Sequence, residues 1–221
     1  MKEIKAPKGY AINPETKSVY IPAGGTASVS FSDLPQMDPV GILLGKVDAE
    51  TNQNKPQGSA SLQGAQFTVK YYAGLWEVNK DPAALGKTPA RTWVFQTDKD
   101  GFCYYSEQYL HSGDQLYKSS SGAASIPIGT VTIQETKAPE GYLLNPEIFV
   151  RQITSAGTAE NVNTYNKPIV PENVMKLDLK KVQEGTEIPI PGAKFEHTKP
   201  DGTKETLTTD ENGALTFKAL Q

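Results

Sequence analysis

One stretch of this chain is written twice, as Glu3-Ile4-Lys5-Ala6-Pro7-Lys8-Gly9-Tyr10 and as Glu135-Thr136-Lys137-Ala138-Pro139-Glu140-Gly141-Tyr142. Each copy is followed at the same offset by Asn-Pro-Glu, at Asn13-Pro14-Glu15 and Asn145-Pro146-Glu147. Self-similarity over this distance means that the chain is built from copies of one supersecondary unit, so fold and function have to be read per copy. Each copy then runs into an alternating stretch that ends in an acid or amide followed by x-Pro. These ends are Val29-Ser30-Phe31-Ser32-Asp33-Leu34-Pro35 and Val162-Asn163-Thr164-Tyr165-Asn166-Lys167-Pro168.

The front of the unit is also present twice. Leu44-Gly45-Lys46-Val47-Asp48 precedes Gly64-Ala65-Gln66-Phe67, and Leu179-Lys180-Lys181-Val182-Gln183 precedes Gly192-Ala193-Lys194-Phe195. Both fronts lead to an Asx/Gly turn that joins neighbouring strands, Thr97-Asp98-Lys99-Asp100-Gly101 and Thr209-Asp210-Glu211-Asn212-Gly213. Residues 40–168 thus hold a whole module, residues 1–38 a rear half and residues 174–221 a front half. The two halves are the pieces of one further module. They read either as the cut ends of a longer array or as halves that complement each other, within a chain or head to tail between chains.

The fold class is all-β: threonine, valine and tyrosine fill the alternating runs, and 16 prolines and 19 glycines punctuate them. A net charge of −3 provides no basic field, which argues against nucleic acid or an acidic membrane as partner. No apolar run has transmembrane length, Met1 leads straight into a repeat motif rather than a signal segment, and no LPxTG anchor occurs. Targeting and anchoring parts are therefore expected outside this stretch, with no membrane contact within it.

Strand alternation selects the polar residues that point inward, because side chains two apart share a face. Glu135 continues the apolar row of Val131 and Ile133, and Lys46 continues that of Ile42 and Leu44. Lys181 likewise follows Leu177 and Leu179, and Asp33 follows Val29 and Phe31. Asn166 aligns with Val162 and Thr164. A lysine, a carboxylic acid and an Asn or Asp driven into one core are costly as charges, and burial favours their neutral forms. A neutral lysine amine is a nucleophile, and a protonated glutamate can polarise an amide carbonyl and relay protons to departing ammonia. The expected product is an isopeptide bond from Lys46 to Asn166 with Glu135 as catalyst. The second set is Lys181, Asp33 and Glu3, which would lose water. Folding holds amine and carbonyl in contact, an effect worth about 7–11 kcal/mol in well-oriented cases.

At these residues the chain resembles the Cna B-type or SpaA-type domains of Gram-positive pilins and surface adhesins. Val131 to Tyr142 matches the ETxAPxGY core of their E-box, with Val131 where the opening tyrosine stands, and the first copy has Ile4 in place of the threonine. Lys46 in Lys-Val-Asp matches the first-strand lysine and Asn166 in Tyr-Asn-Lys-Pro the last-strand acceptor, whereas Lys181 is followed by Val182-Gln183. The resemblance implies Ig-like β-sandwich repeats of reversed topology, bonded internally between first and last strands. It implies a structural stalk or shaft on the cell surface, extracellular and anchored to the cell wall, with neighbouring repeats of the same protein as partners. The only chemistry expected is single-turnover self-modification, not enzymatic turnover.

The alternative function is an adhesin module that binds a host extracellular-matrix protein or glycan through long loops at Gln53 to Ser61, Tyr72 to Arg91 and Tyr109 to Ser125. Trp76 and the tyrosines near Tyr104 read as a ligand patch or, for Trp76, as a cover over the sandwich end. Cys103 reads as a small buried strand residue or, with a glutamine such as Gln108, as a thioester. His111 and His197 have no neighbours at metal-ligand spacing, so neither a metal nor a cofactor is expected.

Overall fold

The computed structural model describes residues 1–154, 160, 162, 164–199 and 202–218. The amino-terminal part contributes β1 (Tyr10–Ala11), β2 (Leu34–Pro35) and β3 (Met37–Asp38). The central part contributes β4 (Ile42–Asp48), β5 (Gln66–Ala73), β6 (Arg91–Gln96), β7 (Phe102–Tyr104), β8 (Leu110–Gly113), β9 (Ile126–Pro127), β10 (Gly129–Lys137), β11 (Ile148–Ile153) and β12 (Ile169–Glu172). The carboxy-terminal part adds β13 (Lys176–Lys180), β14 (Lys194–Thr198), β15 (Lys204–Thr208) and β16 (Ala214–Lys218). A single 3-10 turn, Pro82–Leu85, is the helical element among the described residues.

The central part is a sandwich of two sheets, a five-stranded one in the order β11-β10-β5-β6-β8 and a three-stranded one in the order β12-β4-β7. Side chains from both sheets meet in one core. Phe67, Val69, Trp93, Phe95, Val131 and Ile133 come from the larger sheet, and Leu43, Leu44, Cys103 and Val170 from the smaller. The alternation seen in the sequence is what places them there: Phe67, Val69 and Tyr71 are buried in turn along β5 while Thr68 and Lys70 are less so. All pairings in the two sheets are antiparallel except that of β4 with β12, which run parallel with Val170 opposite Lys46 and Glu172 opposite Asp48. The strand that opens the module and the strand that closes it therefore lie side by side.

The repeat seen in the sequence recurs in the hydrogen bonds. In the central module Lys46 N–H donates to Gly101 O at 2.9 Å, and in the carboxy-terminal half Lys181 N–H donates to Gly213 O at 2.7 Å. Thr97 Oγ1 accepts from Ala65 N–H as Thr209 Oγ1 does from Ala193 N–H. Gly101 and Gly213 have positive φ, 75° and 68°, which closes both Asp-x-x-Gly turns. The front half thus folds as the central front does, through β13–β16 and β14–β15. Its inward face is only partly covered: Leu215 and Phe217 of β16 are buried, while Leu177 remains 51% exposed.

The module boundaries differ from those expected in two places. The closing strand is Ile169–Glu172, beyond residue 168, and Met37–Asp38 pairs with β9 of the central sandwich, so it belongs with that sandwich and not with the rear half. No strand pairing joins residues 1–35 to residues 174–218 among the described residues. Residues 164 to 168 form no strand, because the backbone N–H groups of both Thr164 and Tyr165 turn to one acceptor, Asp38 Oδ2, at 2.6 and 2.7 Å. Asp38 is buried, so Asp38→Ala leaves two part-buried N–H groups without their acceptor, and urea denaturation is expected to show a loss of about 2–4 kcal/mol.

Candidate functional site

The site lies where β4, β10 and β12 converge. Lys46 follows Leu44 on the inward row of β4, Glu135 follows Val131 and Ile133 on that of β10, and Glu172 follows Val170 on that of β12. A bulge between Glu135 and Lys137 carries the chain off the sheet just past the glutamate. Apolar periodicity alone therefore delivers three ionisable side chains to one point in the core. Lys46 is 1% exposed, Glu135 2% and Glu172 0%.

Lys46 Nζ donates a very short hydrogen bond to Glu135 Oε1 and lies 2.7 Å from Glu172 Oε1. The ammonium also sits 4.9 Å from the centroid of the Phe67 ring, so an aromatic face floors the site. Glu135 Oε2 accepts from Asn145 N–H at 2.7 Å, and Asn145 Nδ2 donates to Pro171 O at 2.9 Å. The asparagine of the Asn-Pro-Glu motif thus holds Glu135 with its backbone and the closing strand with its side chain. Neither Glu172 oxygen has a hydrogen-bond partner among the described residues; Oε1 has its ion-pair contact with Lys46 and Oε2 has none. Burial pushes the Glu172 carboxyl up to about 7; Lys46 opposes the shift and the Glu135 charge adds to it.

The E-box tyrosine and the Lys-Val-Asp motif are parts of the same clamp. Tyr142 OH donates to Asp48 Oδ2 at 3.0 Å, and Asp48 Oδ1 accepts from Glu50 N–H, Thr51 N–H and Gln57 Nε2. Burial pushes the Asp48 carboxyl up, but these four donors outweigh it and hold the group below its ordinary value. The clamp fixes the end of β4 against the loop that follows Glu135.

Asn166 is not at the site. Its side chain is exposed, and its backbone carbonyl accepts from Arg151 Nε at 2.8 Å. The residue facing Lys46 from the closing strand is Glu172, and the repeat explains why Asn166 resembled it. In the first copy, Asp33 directly precedes Leu34-Pro35, and Asn166-Lys167-Pro168 imitates that pattern. Hydrogen bonds give the true register. Asn13 Nδ2 donates to Ser32 O, the residue before Asp33, as Asn145 Nδ2 donates to Pro171 O, the residue before Glu172. Tyr10 pairs with Pro35 as Tyr142 bridges to Val174, and Gln36 N–H donates to Gly9 O as Met175 N–H does to Gly141 O. All three correspondences align Asp33 with Glu172. The sequence did carry a signal for this, the alternation of buried Pro168, Val170 and Glu172.

The second set is not assembled. Glu3 Oε2 accepts from Asn13 N–H at 2.6 Å, a copy of the Glu135–Asn145 contact, and Asp33 Oδ1 is buried without a partner. Lys181 is exposed and makes no ion pair with either acid among the described residues.

The remaining candidates occupy ordinary places. Cys103 is fully buried between Leu44 and the core, burial pushes its thiol up, and Gln108 is exposed. Trp76 is half-buried, its backbone N–H donates to Thr130 Oγ1, and Lys87 lies 4.8 Å from its ring centroid. Tyr104 and Tyr109 pack together at 5.0 Å. No group of three or more His, Cys, Asp or Glu is arranged to hold a metal among the described residues.

Because Asn145 bridges Glu135 and the closing strand, Asn145→Ala is expected to cost about 1–3 kcal/mol in urea unfolding while retaining β-rich circular dichroism.

No curated protein matches the chain by sequence. Among solved structures, the Bacillus anthracis TIE protein is 25% identical, with 98% of this chain and 33% of that one covered and a TM-score of 0.51. A group B streptococcus pilus 2b backbone protein is 22% identical over 78% of this chain and 52% of that one, TM-score 0.33. A Streptococcal ancillary pilin is 18% identical over 80% and 49%, TM-score 0.30. The family of SpaA prealbumin-like fold domains matches residues 42–168 and again 175–221. With that match covering most of its length, the chain belongs to the SpaA family of prealbumin-like fold domains.

Proposed function

We propose that this chain is a tension-bearing shaft module of a Gram-positive cell-surface pilin or adhesin, locked by a bond that it forms within itself. The observation that carries the reading is the burial of Lys46 against Glu135, between an opening and a closing strand that run parallel. Family membership and the duplicated E-box support it.

The chemistry is a condensation driven by position. Lys46 Nζ passes a proton to Glu135 Oε1 along their hydrogen bond and attacks a carbonyl carbon of the closing strand, and Glu135 then returns the proton to the leaving group. The dry site has little water to reverse the step, and proximity supplies the rest. A link between β4 and β12 ties together the two strands through which load enters and leaves the module, so stretching cannot peel them apart without breaking a covalent bond. By the chain-entropy argument the closed loop adds about 5 kcal/mol.

Glu135→Gln keeps the shape of the site and removes the relay. The expected result is a folded chain of full, unmodified mass whose melting point lies about 10–20 °C below that of the parent. In that unlinked chain the Glu135 charge no longer adds to the shift, but burial, its largest cause, still raises the Glu172 carboxyl above 4.5, so it binds a proton that the unfolded chain releases. The Glu172 contribution to stability should therefore be fully present below about pH 4.5 and be lost as pH rises toward neutrality. Differential scanning calorimetry and intact mass across this range check both expectations.

A further inference from the structure

Resting on the self-crosslinking reading above, we propose that the acceptor is Glu172, so that the bond joins Lys46 Nζ to Glu172 Cδ and releases water instead of ammonia. Two independent observations lead here. The first is proximity: among the described side chains of the closing strand, Glu172 is the one whose polar atom reaches Lys46, at 2.7 Å, while Asn166 lies exposed on the chain before that strand. The second is the register of the repeat, in which three separate backbone and side-chain contacts align Glu172 with Asp33, the acid of the first copy.

The step balances without any outside reagent. With Lys46 as ammonium, Glu135 as carboxylate and Glu172 as carboxylic acid, the three side chains carry no net charge. Lys46 gives one proton to Glu135 Oε1, and its lone pair adds to Glu172 Cδ. Glu135 then transfers that proton to the departing hydroxyl and takes up the second nitrogen proton as the Cδ–O bond breaks. The products are an amide, a water molecule and a protonated Glu135, still with no net charge. Burial supports the starting state, since it leaves Glu172 protonated into the neutral range, and a carboxylic acid is attacked where a carboxylate is not.

The product also suits the core better than the reactants do. Buried ion pairs pay a desolvation penalty that their mutual attraction repays only in part, and replacing ions with a neutral group of similar volume is often stabilising. Glu172 Oε2, which among the described residues has neither a hydrogen-bond partner nor the ion-pair contact that Oε1 makes with Lys46, is the oxygen whose loss breaks no polar contact.

High-resolution intact mass of the folded, denatured and desalted chain tests this. The expected parent mass is ~18 Da below that of the sequence, and Asn166→Ala keeps the same deficit. Glu172→Gln should move the deficit away from ~18 Da, to ~17 Da where the glutamine amide is attacked with loss of ammonia and to zero where it is not. Circular dichroism confirms that each variant is folded, and the isosteric glutamine guards against a collapse of the site. An 18 Da deficit that survives Glu172→Gln overturns Glu172 as acceptor. A parent deficit of ~17 Da that Asn166→Ala abolishes does the same and leaves self-crosslinking standing with Asn166 as its partner. A folded parent of full mass removes the self-crosslinking reading itself.

Discussion

A lysine buried between two glutamates governs this structure. An isolated ammonium in the core is prohibitively costly, and removing one partner from a buried pair costs about 3–5 kcal/mol, so β4, β10 and β12 have to converge for the fold to exist at all. The convergence is specific. Parallel pairing sets Val170 opposite Lys46, and the alternation of β12 then turns Glu172 to the same side. The Asn145 bridge from Glu135 to Pro171 and the Tyr142–Asp48 bond brace the three strands from either end. The geometry that shields the charges is also the geometry that brings an amine against a carboxyl.

The flanking halves act as an internal comparison. The carboxy-terminal front reproduces the lysine strand and its Asp-x-x-Gly turn, and the amino-terminal rear reproduces the glutamate, its asparagine and the acid of the closing strand. Each half builds its local hydrogen bonds without the other, yet neither buries its lysine or its acids as the central module does. Local turns and caps thus set where these side chains stand along the backbone, while burial and apposition come only from the completed sandwich.

Much of this was legible in the sequence, for physical reasons. Alternation placed Lys46 and Glu135 on inward rows because it holds from Leu44 to Lys46 and from Val131 to Glu135, the irregularity in β4 falling earlier, between Ile42 and Leu44. The Asx/Gly turns announced themselves through glycines that need positive φ. The closing strand was misread because its position depends on a distant residue. Asp38 takes the N–H groups of Thr164 and Tyr165, so the alternating run ending at Asn166 never enters the sheet, and the strand begins only at Ile169. Nothing local to residues 162–168 reports that competition. The alternation of Pro168, Val170 and Glu172 does report the true strand, but it stands in the shadow of a closer imitation of the first copy's Asp-x-Pro.

The most direct test of the central claim is a peptide map of the denatured chain by tandem mass spectrometry. A branched species is expected, in which the peptide bearing Lys46 is joined through its side chain to the peptide bearing Glu172, with one water lost and Glu135 unmodified. Recovery of the two peptides as separate linear species from folded protein would contradict it.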